Sequence, residues 1–188
     1  MLGYMCGQVE LTPMSIATGR RLSNHIFGGI KYKEAKEYYD NVSRVVFYHH
    51  TIGSVGPTEP ESVVNFGEEN MKVYTYKLAN LHYGILDVPS LYDRPRTIMK
   101  IVCATEDENV VGIRVPGMGA DDMMQVFCGA INMGETKAEL DSFVAIHTKE
   151  REELVTMGNW DMRPQVSGDR IIPLNGVPQV EPNIKSKI

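Results

Sequence analysis

Thr97 to Val115 reads TIMKIVCATEDENVVGIRV, and the fold turns on how this stretch is read. Thr97–Thr105 is rich in β-branched and apolar side chains and predicts a strand. Glu106–Asp107–Glu108–Asn109 is a turn-forming run, and Val110–Val115 predicts the returning strand of a hairpin. Directly downstream, Ala120–Met133 carries Met123, Phe127, Ala130 and Ile131 on one face at helical spacing, with Gly134 placed to cap it. A hairpin followed by an amphipathic helix is a piece of sheet with its own cover.

Working outward, Met71–Leu78 alternates in the manner of a strand. Thr58 and Glu61 have the spacing of a capping box and open a short helix through Val63, Val64 and Phe66 that stops at Gly67. Ile52–Pro57 is a short strand or turn, and Arg44–His49 reads as a strand. His49 and His50 would then point to opposite sides, which argues against shared metal ligation. Near the N-terminus, Thr12 reads as an N-cap and Pro13 as the first helical residue of a helix over 12–27, ended by Gly28–Gly29. Residues 30–42 are polar and rich in Tyr and Lys, as a linker is. Residues 85–96 are turn-rich. A short helix over Lys137–Phe143 leads through Val144–Ala145–Ile146 to His147, and Glu150–Met157 gives a last helical turn or two. From Gly158 onward, Pro164, Pro173, Pro178 and Pro182 punctuate a polar arm that builds no core of its own and suits draping over a partner.

This order predicts an α+β fold: an antiparallel sheet covered on one face by helices, with a mixed sheet left open by the lone strands between helices. Three segments follow: residues 1–38 with the N-terminal helix and linker, 39–157 with the sheet, and 158–188 as an extended Pro-rich tail.

Composition narrows the function classes. The chain has 188 residues, 43% hydrophobic and 23% charged, with a net charge of −5. That is the profile of an ordinary soluble globular domain. An acidic chain offers no basic footprint for nucleic acid, and the Lys31–Lys36 run is broken by Tyr32, Glu34 and Ala35. No run approaches the roughly 20 apolar residues of a membrane span. Residues 1–6 lack the features of a signal or transit peptide, so the default compartment is the cytosol, with an organelle left open. The three cysteines, Cys6, Cys103 and Cys128, form neither a redox pair nor a zinc spacing and read as reduced core residues. No metal site is expected. Gly117–Met118–Gly119 precedes a helix, but a dinucleotide loop would need glycine where Asp122 stands, and Asp121 and Asp122 would repel a pyrophosphate.

One pair has chemistry. His147 ends a strand-like run and Glu152 follows at the start of a helix. A carboxylate on one imidazole nitrogen fixes the tautomer and raises the basicity of the other. By spacing alone, such a pair is usually a surface contact.

A longer pattern surrounds it. The segments MKIVCATEDENVVGI (99–113), ADDMMQVF (120–127), MGETKAELD (133–141) and AIH followed by EELVT (145–156) resemble the C-terminal interface domain of the glutathione reductase family, flavin-dependent pyridine nucleotide–disulfide oxidoreductases. RVVFYHHTIGSVGPTEPE (44–61) is similar to that domain's first strands, and CGQVELTPMSIATGRRL (6–22) to the end of the family's FAD domain. The resemblance implies a dimerisation fold for 39–157 and an FAD-domain remnant in 1–38. It implies that His147 is the acid–base that reaches across a two-fold interface to a partner's dithiol, with Glu152 orienting it. It places Thr12 near the flavin and matches Arg20 to an arginine that binds a glutathione carboxylate.

Departures from the family pattern cluster at its chemistry. The glycine-rich FAD fingerprint, the dithiol and the NADPH domain have no counterpart in these residues. The family's flavin-binding aspartate is Tyr4. Its His-Pro-Thr-Ser is His147–Thr148–Lys149–Glu150, and its active-site aromatic-Thr-Pro-Met-Tyr corresponds to Leu78–Ala79–Asn80–Leu81–His82. Core-type positions look intact. The expectation is therefore a chain without cofactor or catalysis of its own, a structural protein that forms a homodimer or joins a larger assembly, with the tail as a candidate contact. The alternatives are a split reductase subunit that donates His147 and Glu152 to a separate FAD- and NADPH-binding chain, and a module that keeps Arg20 for an anionic thiol peptide.

Overall fold

The computed structural model describes residues 2–34, 39–79, 94–146, 152–157, 165–167 and 170–172. The chain divides into two units, Met1–Val42 and Ser43–Ile188.

The first unit is built on α1, Thr12–Phe27, preceded by a 3-10 turn at Gly3–Cys6. The helix begins differently from expectation. Leu11 is its N-cap, without a side-chain cap, and Thr12 and Pro13 are its first two residues. The Thr12 hydroxyl does not close back on the helix; it lies 3.1 Å from the Tyr4 phenol. A nonlocal partner has taken the oxygen that a cap would use. Gly28 ends the helix as read, its N–H donating to the Asn24 carbonyl at 2.7 Å.

The second unit is a five-stranded sheet in the order β1-β2-β5-β4-β3. Its strands are β1 (Arg44–Val46), β2 (Ile52–Val55), β3 (Met71–Ala79), β4 (Arg96–Ala104) and β5 (Asn109–Pro116). Every pairing is antiparallel, so the sheet is not mixed. The deciding hairpin is β4–β5, joined by Thr105–Glu108. Thr105 and Glu108 sit in the left-handed region. A register shift at Val102/Cys103 skips Val111 on β5, and such a bulge kinks and twists the strand.

Helices lie on both sides of the sheet, the larger layer on one. There α3 (Ala120–Met133), α4 (Lys137–Asp141) and α5 (Glu152–Thr156) meet the core side of the strands. Met99, Ile101, Cys103, Ile113 and Val115 interdigitate with Met123, Met124, Phe127, Ile131, Leu140 and Leu154. Met99, Ile101, Met124 and Leu154 are fully buried, each contributing roughly 1.5–3 kcal/mol relative to exposure. Gly53 on β2 lets α3 approach closely, since a Cβ there would stand 2.4 Å from Met124 Cγ. On the other side, α2 (Glu59–Phe66) packs against β3 and β4, and Lys100 Nζ donates to Glu59 at 2.8 Å.

One short helix on each side opens with a capping box. Thr58 serves α2 with Glu61, as the sequence predicts, and Thr136 serves α4 with Glu139. Hydrogen bonds from the Thr58 backbone and hydroxyl hold the Glu61 carboxyl below its usual value of 4.5, and those from Thr136 do the same for Glu139. A depressed carboxylate stabilises above its unfolded value and loses that contribution as pH falls through the lower folded value. Thr58→Ala keeps the backbone bond and removes the hydroxyl bond, so the Glu61 midpoint is expected to rise only part of the way toward 4.5 in an NMR titration while Glu139 stays depressed. An unmoved Glu61 would show that the hydroxyl adds nothing to the backbone N–H.

One further detail corrects the expectation. The strand read over Arg44–His49 ends at Val46, and His49 and His50 are exposed outside any strand. Within residues 158–188, β6 (Gln165–Ser167) pairs antiparallel with β7 (Arg170–Ile172) in a short hairpin.

Candidate functional site

Of the residues the sequence singles out, Glu152 is the first residue of α5. His147 lies outside the described residues, as do Thr148–Glu150 and Asn80–His82. Thr12 and Arg20 belong to the first unit, and both are exposed on α1. The structure thus brings Thr12 to Tyr4, and it sets Glu152 at a helix start where the backbone N–H groups favour a carboxylate. Beside it, burial and the Glu152 charge push the Glu153 carboxyl up. Burial and the Glu153 charge in turn raise Tyr76.

Leu154 and Val155 of α5 pack in the core, and a polar network that sequence reading missed reaches the residue just past the helix. Lys137 is only 3% exposed. Its Nζ donates to the Met157 carbonyl at 3.2 Å, pairs with Asp141, and lies 4.6 Å from the centre of the Tyr74 ring. The Tyr74 hydroxyl donates to Glu108, which also pairs with Lys72. Burial and the bond to Glu108 raise Tyr74 strongly. Burial works against the Glu108 carboxylate, but the hydrogen bonds from Lys72 and Tyr74 prevail and its pKa is lowered. Backbone bonds add to this: Val110 N–H donates to Glu135 O and Lys137 N–H to Glu108 O, both at 2.9 Å. The one available signal was the K-x-x-x-D spacing of Lys137 and Asp141, which reads as a surface pair.

Neighbouring Cys103 is fully buried, and desolvation pushes its thiol up to about 12. A thiol so raised is inert as a nucleophile, as the sequence suggests. The described residues hold no cluster of three or more His, Cys, Asp or Glu that could bind a metal, and none of their helices is long and apolar enough to cross a membrane.

The remaining conspicuous surface is apolar. Val126 and Met133 are 69% and 88% exposed on α3, two turns apart on the side away from the sheet, with Asp122 and Gly129 in the same line. Phe143, Val144 and Ile146, which lead toward His147, are also exposed, Val144 at 95%.

Comparison with known proteins places this geometry. Residues 42–157 match the family described as pyridine nucleotide-disulphide oxidoreductase, dimerisation domain. Over 156 residues, 83% of the chain, it is 47% identical to a glutathione reductase of Yarrowia lipolytica and 44% identical to one of Schizosaccharomyces pombe. It spans about a third of the length of these relatives, 32% of each. The fold is similar to that of the HOCl-induced flavoprotein disulfide reductase RclA from Escherichia coli. Its copper(II) complex, in the C43S mutant, gives a TM-score of 0.65 at 18% identity over 81% of this chain and 33% of that one. With an antiparallel five-stranded sheet, its helices in place, and more than half its residues matched, the chain belongs to the pyridine nucleotide-disulphide oxidoreductase dimerisation-domain family.

Proposed function

We propose that the chain acts as a non-catalytic dimerisation module that pairs with a second copy of itself and serves as a scaffold, alone or within a larger assembly. The observation that carries the non-catalytic part is the contact between Tyr4 and Thr12, 3.1 Å apart. In the family this sequence resembles, an aspartate stands at Tyr4 and the Thr12 position lies near the flavin. Here a half-exposed phenol takes the threonine hydroxyl, and it brings neither the charge nor the acceptor geometry of a carboxylate. Self-association is supported by the exposed apolar side chains Val126, Met133, Phe143, Val144 and Ile146, since an apolar surface left in water favours association.

The test is sedimentation velocity together with the visible spectrum. A dimer at micromolar concentration, colourless and inert to NADPH and oxidised glutathione, is the expected result. A stable monomer would remove the scaffold reading, and a bound flavin would remove the non-catalytic one.

A second reading, a subunit that lends an acid–base pair to a separate flavoprotein chain, is favoured by Glu152, which keeps its place at the first turn of α5. Co-purification with a yellow partner, and loss of reductase activity in His147→Ala, would support it.

A further inference from the structure

α5 has five residues, far short of the roughly 12–15 that sustain a helix in water. Its position must come from outside itself. Leu154 and Val155 are buried, but apolar burial is non-directional and leaves a short helix free to turn or slide. The Met157 carbonyl, just past the helix, is among the acceptors that a helix end leaves open. It accepts from Lys137 Nζ at 3.2 Å. A cation there also complements the negative end of the helix.

Lys137 is itself over-determined. A lysine withdrawn from water requires partners. It has the Asp141 carboxylate one turn along, the Met157 carbonyl, and the face of the Tyr74 ring 4.6 Å from Nζ. Tyr74 lies on β3 and is pinned through its hydroxyl to Glu108 in the β4–β5 turn. An unbroken line of contacts therefore runs from the sheet through one ammonium to the end of α5.

We infer that Lys137 is the positioning residue of α5: its buried ammonium, held by Asp141, the Tyr74 ring and the Met157 carbonyl, fixes where the Glu152–Glu153 end of the helix is presented. The consequence for association rests on the dimerisation proposal; the anchoring of α5 does not.

The experiment compares Lys137→Met and Lys137→Arg with the unchanged full chain, by hydrogen exchange and by sedimentation. In Lys137→Met, exchange over Glu152–Met157 is expected to rise tenfold or more, while Met99–Cys103 changes less than twofold. The dimer dissociation constant weakens at least fivefold. Lys137→Arg, which keeps the charge and donors, recovers most of both. Exchange at α5 that stays unchanged, or rises only in step with β4, overturns the inference. A loosened α5 with an unmoved dimer constant upholds the anchoring and overturns only its consequence for association. If the unchanged chain is a monomer, the dimerisation proposal fails, and the exchange comparison decides the inference by itself. Should Lys137→Met not fold, Asp141→Asn removes the counter-charge and leaves the ammonium and its bond to the Met157 carbonyl in place; a rise in exchange confined to Glu152–Met157 is then expected, and no rise, or one shared with Met99–Cys103, overturns the inference.

Discussion

Gly56→Ala is expected to lower the free energy of unfolding by about 4 kcal/mol, the sum of a left-handed backbone carrying a Cβ and an overlap that cannot relax. Gly56 joins β2 to α2 at φ +72°, and a Cβ there would stand 1.9 Å from the Val111 carbonyl oxygen. Val111 is the residue the β4–β5 register skips, and the atoms nearest the new Cβ, the Val111 carbonyl and the Gly112 Cα, are all backbone. Neither atom belongs to a side chain that could rotate away. The loop cannot retreat cheaply either, because the Arg114 guanidinium donates to the Gly56 carbonyl at 3.0 Å and to the Pro57 carbonyl at 2.8 Å. Urea unfolding measures the loss. Gly129→Ala is the control: it lies inside α3 with nothing within 4 Å of a new Cβ, and gains ~0.5–1 kcal/mol as helical glycines do. A Gly56→Ala variant within about 1 kcal/mol of the unchanged chain, against the range expected for strained glycine positions, would show that this loop adapts.

The same residues explain what could be read in advance. The strands β3, β4 and β5, helix α3 and the Thr58 box were legible because each is encoded locally: alternation, a 3.6-residue apolar stripe, an acceptor three residues from a donor. What failed was set by partners distant in sequence. Phe47–His49 has strand composition, but β2 begins only at Ile52 and returns to pair with Arg44–Val46, so Phe47–Thr51 is consumed by the connection. Thr12 has the composition of a cap, yet its hydroxyl went to Tyr4 eight residues away. Lys137 has the composition of a surface residue and is buried because Tyr74 and Met157 converge on it. Of the candidate pair, spacing located Glu152 at a helix start, while its partnership with His147 came from family resemblance and lies outside the described residues.

Placing a carboxylate on the outward stripe of α3 separates folding from association. In the double variant Val126→Asp, Met133→Asp, the dimer dissociation constant is expected to weaken by 100-fold or more, about 2.8 kcal/mol at 1.4 kcal/mol per tenfold. Each new charge would have to be buried without a counter-charge at the interface, which costs several kcal/mol unless the interface opens. Asp122 already lies along the same line of α3, exposed, so two further acids raise repulsion between copies as well. The monomer should barely notice. Val126 and Met133 are 69% and 88% exposed, and exposed substitutions away from caps and the core usually fall within about 0.5 kcal/mol. Mass action supplies a second readout. If folding is coupled to pairing, the unfolding midpoint of the unchanged chain rises with protein concentration, and that of the double variant does not. Sedimentation across the micromolar range and thermal melts at two concentrations make both measurements. A variant that remains dimeric with an undiminished constant would move the seam off α3 and onto another exposed apolar segment, of which Phe143–Ile146 is the next to substitute.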